Sequence, residues 1–157
     1  MNTTASCKYL ICADRSDVSK AAVRFASLMA KKRNASLAIL HVVEAVTMQS
    51  LFAVADRIKE EKRQEAWDVL QERASIAQEI TGTPPALLLR EGAIGDEILS
   101  TVMEDSSISL LLLAASPEAS GKGKLLKWLS GKLGDQLLVP IMLVPGNLTD
   151  QQIDSIS

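Results

Sequence analysis

The chain has 157 residues, the size of one ordinary domain, of which 47% are hydrophobic and 23% charged. Its 17 Lys and Arg against 19 Asp and Glu leave a net charge of -2, which argues against general binding to nucleic acid or acidic membranes. The first six residues lack the pattern of a secretory signal, and no apolar run is long enough to cross a bilayer. We therefore expect one cytoplasmic domain over 1–157, with a core at about 8–145 and a loose polar tail at 146–157.

Short apolar runs alternate along the chain with patterns of helical spacing. Five runs have the length and continuous hydrophobicity of buried strands: Tyr9–Ala13, Leu37–Val43, Ala86–Arg90, Ile108–Ala114 and Ile141–Val144. Helical patterns follow Ser16 and occupy Leu51–Ile80, Ile94–Met103 and Leu125–Leu138. Continuously apolar strands that alternate with helices indicate a parallel sheet covered on both faces, so the sequence predicts a three-layer α/β sandwich.

Residue types at the ends of the first helical pattern predict where that helix begins and ends. Ser16 is a good N-cap, and Asp17 suits the positive end of the helix dipole. Three basic residues then precede Asn34, which predicts a stop there.

The sequence contains two cysteines, Cys7 and Cys12, which could both lie on one extended strand. Five residues along one strand separate them by roughly 16 Å and point them to opposite faces, so they cannot form a disulfide. We expect both to be reduced, buried thiols.

Ligands of an open α/β sheet bind beyond the carboxyl ends of the strands. Four segments are predicted there: 12–17, 42–45, 90–95 and 114–132. Asp14 can either accept hydrogen bonds from a ribose or base or cap the following helix. His41 is the only histidine, which excludes a multi-histidine metal site and argues against a Ser-His-Asp triad. We expect His41, Trp67 and Trp128 to be packing residues.

The segment Ser120–Lys124 combines two glycines with two lysines between a strand and a helix. Glycines let backbone N–H groups approach an anion, and a helix N-terminus favours negative charge. A phosphate-binding loop is one interpretation, and a solvated basic loop is the other. The residues alone leave both open.

Several segments, taken in order, resemble the universal stress protein family. They are Tyr9–Ser16, Leu40–Val43, Leu89–Gly92 with Asp96–Leu99, and Val139–Val144. The resemblance runs from about Lys8 to Val144 and implies the strand order 3-2-1-4-5, in a fold like that of the adenine-nucleotide α-hydrolases. It also implies a stress-associated regulatory or binding module that binds ATP or another adenine nucleotide, with Mg²⁺ only if ATP is bound. A homodimer paired through the last strand, Ile141–Val144, is implied as well.

ATP-binding members of that family carry the motif G-x2-G-x9-G-[ST] after the fourth strand. Gly121 and Gly131 match its second and third glycines, whereas Ala115 stands at the first and Lys132 at the Ser or Thr. About three additional residues precede Gly121. The resemblance implies Asp14 and Val42 at the base and ribose and the two glycines at the phosphates. The predicted nucleotide contacts are Ala13, Asp14, Val42, Ala114, Ala115, Gly121, Lys122, Gly131 and Lys132.

Two alternatives remain open at this point. One is a dimeric interaction module of the same family that binds no nucleotide, which the incomplete glycine motif favours. The other is an enzyme of the α-hydrolase group, but those enzymes carry a Ser-Gly-Gly-x-Asp-Ser loop where this chain has Ala13–Asp17 without glycine. No catalytic residue is predicted, and at most slow hydrolysis of bound ATP is expected.

Overall fold

The computed structural model describes residues 7–44, 52–115 and 134–157. Its elements in chain order are β1 (Lys8–Cys12), α1 (Asp17–Arg33), β2 (Ser36–Val43), α2 (Phe52–Thr81), β3 (Ala86–Glu91), α3 (Ile94–Glu104), β4 (Ile108–Ala115), α4 (Gly134–Gln136), β5 (Ile141–Pro145) and α5 (Asp150–Ile156). The five strands correspond to the five predicted apolar runs. No helix within the described ranges is both long and apolar enough to cross a bilayer.

The strands form one parallel sheet in the order β3-β2-β1-β4-β5, which confirms the predicted topology. Cys12 at the end of β1 lies opposite Leu40 of β2 and Leu113 of β4. The carboxyl ends of the three central strands therefore meet at one edge of the sheet. This register brings together segments that are about 100 residues apart in the chain.

Both faces of the sheet are covered, as the continuous hydrophobicity of the strands requires. On one face Ile11 and Leu112 pack against α1 and α2, and on the other Leu10 and Leu111 pack against α3. All four side chains are fully buried. In α3 only part of the predicted apolar stripe is core, because Met103 is 71% exposed.

The ends of α1 are formed as predicted. The Ser16 side chain accepts a hydrogen bond from the Ser19 amide, 3.3 Å away, and so caps the first turn. Asn34 ends the helix in the left-handed conformation with a φ of 54°, which asparagine tolerates better than most residues.

The expectation of a loose C-terminal tail was wrong. Thr149 and Gln152 form a capping box at the start of α5, and Ile153 is completely buried against α1. Leu148, at the position before the cap, packs in the same cluster as Ile153, which is the spacing of a hydrophobic staple. Arg24 of α1 adds an ion pair with Asp150 at 3.4 Å.

Two smaller expectations also fail. Cys7 precedes β1 and is exposed, because the strand begins at Lys8. The last helical pattern, predicted to run to Leu138, ends earlier: α4 stops at Gln136, and Leu138 is 92% exposed. The rest of that pattern, 125–133, lies outside the described residues.

Candidate functional site

A cleft opens at the carboxyl ends of β1, β2 and β4. The chain leaves β1 toward β2 on one side, while β4 lies on the other, so the strand order reverses here. The cleft has a volume of about 80 Å³. It is lined by Cys12, Ala13, Asp14, His41, Val42, Ile94, Ile98, Leu113 and Ala114.

The structure brings four of the predicted contact residues together in this cleft, namely Ala13, Asp14, Val42 and Ala114. Ala115 ends β4 beside them, with its backbone opposite Pro145 of β5. The other predicted contacts lie outside the described residues: Gly121, Lys122, Gly131 and Lys132.

Asp14 is exposed at the rim of the cleft, directly after β1. Its Oδ1 accepts hydrogen bonds from the Ser16 amide, at 2.8 Å, and from the Ser16 hydroxyl. The N-cap of α1 is therefore Ser16, and Asp14 orients that cap instead of capping the helix itself. In the part of the chain that the structure describes, Oδ2 of this exposed side chain receives no hydrogen bond, so it is available as an acceptor.

Cys12 forms part of the cleft floor and is half-buried. Burial raises the pKa of its thiol to about 12, and the nearby Asp14 carboxylate acts in the same direction. The thiol is therefore protonated and uncharged at neutral pH, which makes it a poor nucleophile and metal ligand. Among the described residues no cluster of His, Cys, Asp or Glu could hold a metal ion.

His41 joins the ends of β2 and β1. Its ring Nδ1 lies 2.7 Å from the carbonyl oxygen of Ala13. A carbonyl only accepts, so Nδ1 must carry the proton and donate it. The half-buried ring is thus part of the wall of the cleft.

Arg73 is the site-related residue that sequence reasoning missed. It lies on α2, is only 1% exposed, and hydrogen-bonds to the backbone of the loop that carries Asp14. The sequence holds a signal for it: Arg73 follows Val69 and Leu70 and precedes Ala77 at helical spacing, so it occupies the buried stripe of α2. A charged residue on such a stripe requires a buried partner.

Two wider clefts lie elsewhere on the described surface. One, of about 320 Å³, is lined by Trp67, Arg63, Leu89 and neighbours at the ends of β2 and β3. Trp67 is 37% exposed there, so its indole is only partly packed. The other, of about 380 Å³, lies between α1, α2 and the segment that follows β5. Neither is at the point where the strand order reverses, so the smaller cleft remains the preferred site.

Known structures share this architecture. Universal stress protein UspA from Lactobacillus plantarum superposes with a TM-score of 0.73 at 18% identity, covering 88% of this chain and 97% of that one. The universal stress protein from Archaeoglobus fulgidus in complex with dAMP gives 0.63 at 17% identity, covering 89% and 98%. An Arabidopsis thaliana universal stress protein family protein with AMP bound gives 0.60 at 15% identity, covering 88% and 91%.

At identities below 20%, these structural matches establish only the fold. Membership of a family has to be shown by comparison of the sequence. A search of curated protein sequences found no significant match. The model of the universal stress protein family, in contrast, matches residues 8–145, which include all five strands. The chain therefore belongs to the universal stress protein family.

Proposed function

We propose that this protein is a regulatory module of the stress response that binds an adenine nucleotide at the cleft between β1 and β4. The observation that carries the proposal is the exposed Asp14 in the lining of the cleft: its Oδ1 accepts from Ser16, and its Oδ2 receives no hydrogen bond from the described residues. A carboxylate oxygen in this position accepts hydrogen bonds from ribose hydroxyls or from the exocyclic amine of adenine. Family members of the same fold have been crystallised with cAMP, dAMP and AMP, which supports an adenine nucleotide as the ligand.

The size of the cleft limits which part of the nucleotide it receives. Its described walls enclose about 80 Å³, well under the ~300 Å³ at which pockets for drug-sized ligands begin. We infer that the cleft contacts one part of the nucleoside, an edge of the base or the near side of the ribose, and that the rest of the ligand lies outside it. The phosphates then extend toward the segment that carries Gly121, Lys122, Gly131 and Lys132, and Mg²⁺ joins them if the ligand is ATP.

The direct test is to denature the purified full-length protein and search for released ATP, ADP or AMP by mass spectrometry. Calorimetric titration of nucleotide-free protein with ATP, AMP and adenosine then gives the three affinities. We expect binding of at least one adenine nucleotide. If nothing co-purifies and no binding occurs at millimolar nucleotide, the protein is instead an interaction module that binds no nucleotide.

Asp14→Ala is expected to lower nucleotide affinity by about tenfold or more, since that factor corresponds to ~1.4 kcal/mol, the order of one charge-assisted hydrogen bond. The same change removes the acceptor that orients Ser16, so the free energy of unfolding should fall by about 1 kcal/mol, as for loss of a helix cap. Calorimetry measures the first effect and urea denaturation the second.

The matched control is Asp68→Ala, which removes an exposed carboxylate from α2 that is hydrogen-bonded only to Gln64 among the described residues. It should change neither affinity nor stability appreciably. If Asp14→Ala binds nucleotide as tightly as the parent while losing stability, Asp14 serves only the helix cap.

The proposal includes a homodimer formed through β5. This strand lies at the edge of the sheet, and Leu143 on it is 46% exposed. Leu138, just before the strand, is 92% exposed. An apolar edge strand with free backbone groups is a liability that proteins normally cover. A second copy of the chain, pairing β5 with β5, would cover it.

Leu143→Lys should weaken this dimer, because it places a charge on the apolar part of the edge. We expect the parent to be a dimer by multi-angle light scattering at micromolar concentration and the variant to dissociate at higher concentration than the parent does. Met103→Lys is the control, since Met103 is an exposed apolar residue on α3. A monomeric parent, or equal dissociation of both variants, would contradict the β5 interface.

A further inference from the structure

Within the described ranges, Arg73 is the one charged side chain that is fully buried. Removing a guanidinium from water is costly unless its N–H groups are hydrogen-bonded and its charge is balanced. Glu72 supplies a charge 3.2 Å from Nη1, but that carboxylate is itself 57% exposed and also pairs with Lys20. The hydrogen bonds of Arg73 must therefore provide much of the compensation.

All of these hydrogen bonds go to one short segment, residues 14–19. Nη2 donates to the carbonyl oxygens of Asp14, at 2.9 Å, and Ser16, at 3.2 Å. Nε donates to the hydroxyl of Ser19, at 3.1 Å. The planar guanidinium thus bridges the loop between β1 and α1 and the first turn of α1. The compact ammonium group of lysine cannot reproduce this arrangement.

Ser19 links this anchor to Asp14. Its hydroxyl oxygen accepts from Arg73 and also from the backbone N–H of Asp14, at 3.1 Å. The carboxylate of Asp14 in turn accepts from Ser16, whose carbonyl is held by Arg73. Asp14 is therefore fixed at three points. Its carbonyl is bound by Arg73 directly, its amide by the hydroxyl of Ser19, and its side chain by Ser16, and Arg73 also contacts both of these serines.

The anchor also sets the direction of backbone donors. A trans peptide points its N–H opposite to its C=O, and the described peptide bonds are trans. Because the carbonyls of Asp14 and Ser16 point at Arg73, the N–H groups of Arg15 and Asp17 point away from it. Arg73 thus fixes the position of the loop and also the direction in which these two backbone N–H groups point.

We propose that Arg73 is a positioning residue for the nucleotide site: it holds the segment 14–19, which comprises the loop after β1 and the first turn of α1, in its binding-competent shape before the ligand arrives. The ligand then does not have to order the loop, and affinity rises by the ordering cost that is avoided. This inference rests on the proposed function, but its structural half concerns the nucleotide-free protein and can be tested separately.

A purely architectural role is the competing explanation, in which Arg73 joins α2 to α1 and matters only for folding. The two explanations differ in the folded protein. An architectural tie would change the free energy of unfolding and leave the loop and the affinity of the folded fraction unaltered. A positioning residue changes both the loop and the nucleotide affinity of the folded protein.

The experiment uses the full chain with Arg73→Lys, Arg73→Met and, as a matched control, Arg63→Met. Arg63 lies on the same helix, is exposed and pairs with Glu91 at 3.4 Å. NMR hydrogen exchange on nucleotide-free protein reports the amides of Asp14 and Ser16, and calorimetry reports the affinity for ATP and AMP of the folded protein.

For Arg73→Lys we expect a folded protein in which both amides exchange at least tenfold faster and nucleotide affinity falls at least tenfold. Arg73→Met should go further in the same direction, and Arg63→Met should change neither readout. If the Arg73 variants do not fold, Ser19→Ala replaces them. That change removes the shared acceptor while improving helix propensity, and it should also accelerate exchange at Asp14 and weaken binding.

Unchanged exchange at Asp14 and Ser16 in a folded Arg73→Lys or Ser19→Ala variant would overturn the positioning role. Faster exchange with unchanged affinity would overturn its coupling to the ligand. If the parent binds no nucleotide, the proposed function fails and the coupling with it, whereas the exchange data still decide whether Arg73 orders the loop.

Discussion

Gly146→Val is expected to destabilise the protein severely, with a loss of at least about 3 kcal/mol in the free energy of unfolding, the upper end of the usual cost of overpacking. Gly146 directly follows β5 and packs against the side chain of Val18, in the first turn of α1. A β-carbon built on Gly146 would lie 2.1 Å from Cγ1 of Val18 and 2.7 Å from its Cβ. Such distances require the backbone of one of the two segments to move.

Gly146→Ala should show the same effect with a smaller loss, of about 1–3 kcal/mol. Urea denaturation with an unchanged m-value measures it. The double variant Gly146→Ala with Val18→Ala tests the cause, because truncating Val18 removes the methyl groups that clash. The double variant should regain part of the stability lost by Gly146→Ala, because the Cβ of residue 18, 2.7 Å from the new β-carbon, remains. A Gly146→Ala protein as stable as the parent would show that α1 and the end of β5 are not in tight contact.

The sequence predicted the sheet well because its determinants are local. Each strand is a short continuous apolar run, and each is bounded by residues whose conformational preferences are strong, such as Ser16 and Asn34. Their roles as cap and stop were confirmed. The strand order came from the family resemblance, since periodicity alone does not specify which strands are neighbours.

The candidate site was predicted only in part, for a physical reason. Asp14 follows the first apolar strand and Val42 lies near the end of the second, and the carboxyl ends of parallel strands must share one edge of a sheet. Arg73 lies some 59 residues after Asp14 and acts on backbone carbonyls, which carry no sequence signature. The only sequence signal for Arg73 was its place as a charged residue on the apolar stripe of α2. Because such a stripe is identified from its apolar residues, a charged residue within it is easily overlooked.

The tail was misjudged because polar composition was given more weight than capping signals. Residues 146–157 contain few apolar side chains, yet Thr149 and Gln152 have the spacing of a capping box. Leu148 and Ile153 stand at the positions that close a hydrophobic staple across it. Two apolar residues at the right spacing suffice to dock one short helix on α1.

Ile153→Ala is therefore expected to cost about 2–5 kcal/mol, the range for truncating a fully buried isoleucine. Ile153 is 0% exposed and packs in the cluster shared by α1 and the sheet. Ile156 lies on the same helix, one turn later, and is 60% exposed, so Ile156→Ala is the matched control and should cost almost nothing. Thermal and urea unfolding of the two variants give the comparison.

The difference between the two variants measures how tightly α5 docks. The docked helix also contributes Asp150 and Asp154 to Arg24 of α1, each at 3.4 Å, but such partly exposed ion pairs typically contribute ~1 kcal/mol or less. Burial of Ile153 should therefore dominate, and Arg24→Met should cost less than Ile153→Ala. Equal and negligible losses for Ile153→Ala and Ile156→Ala would mean that the tail is loose in solution, and that residues after Gly146 add nothing to the fold.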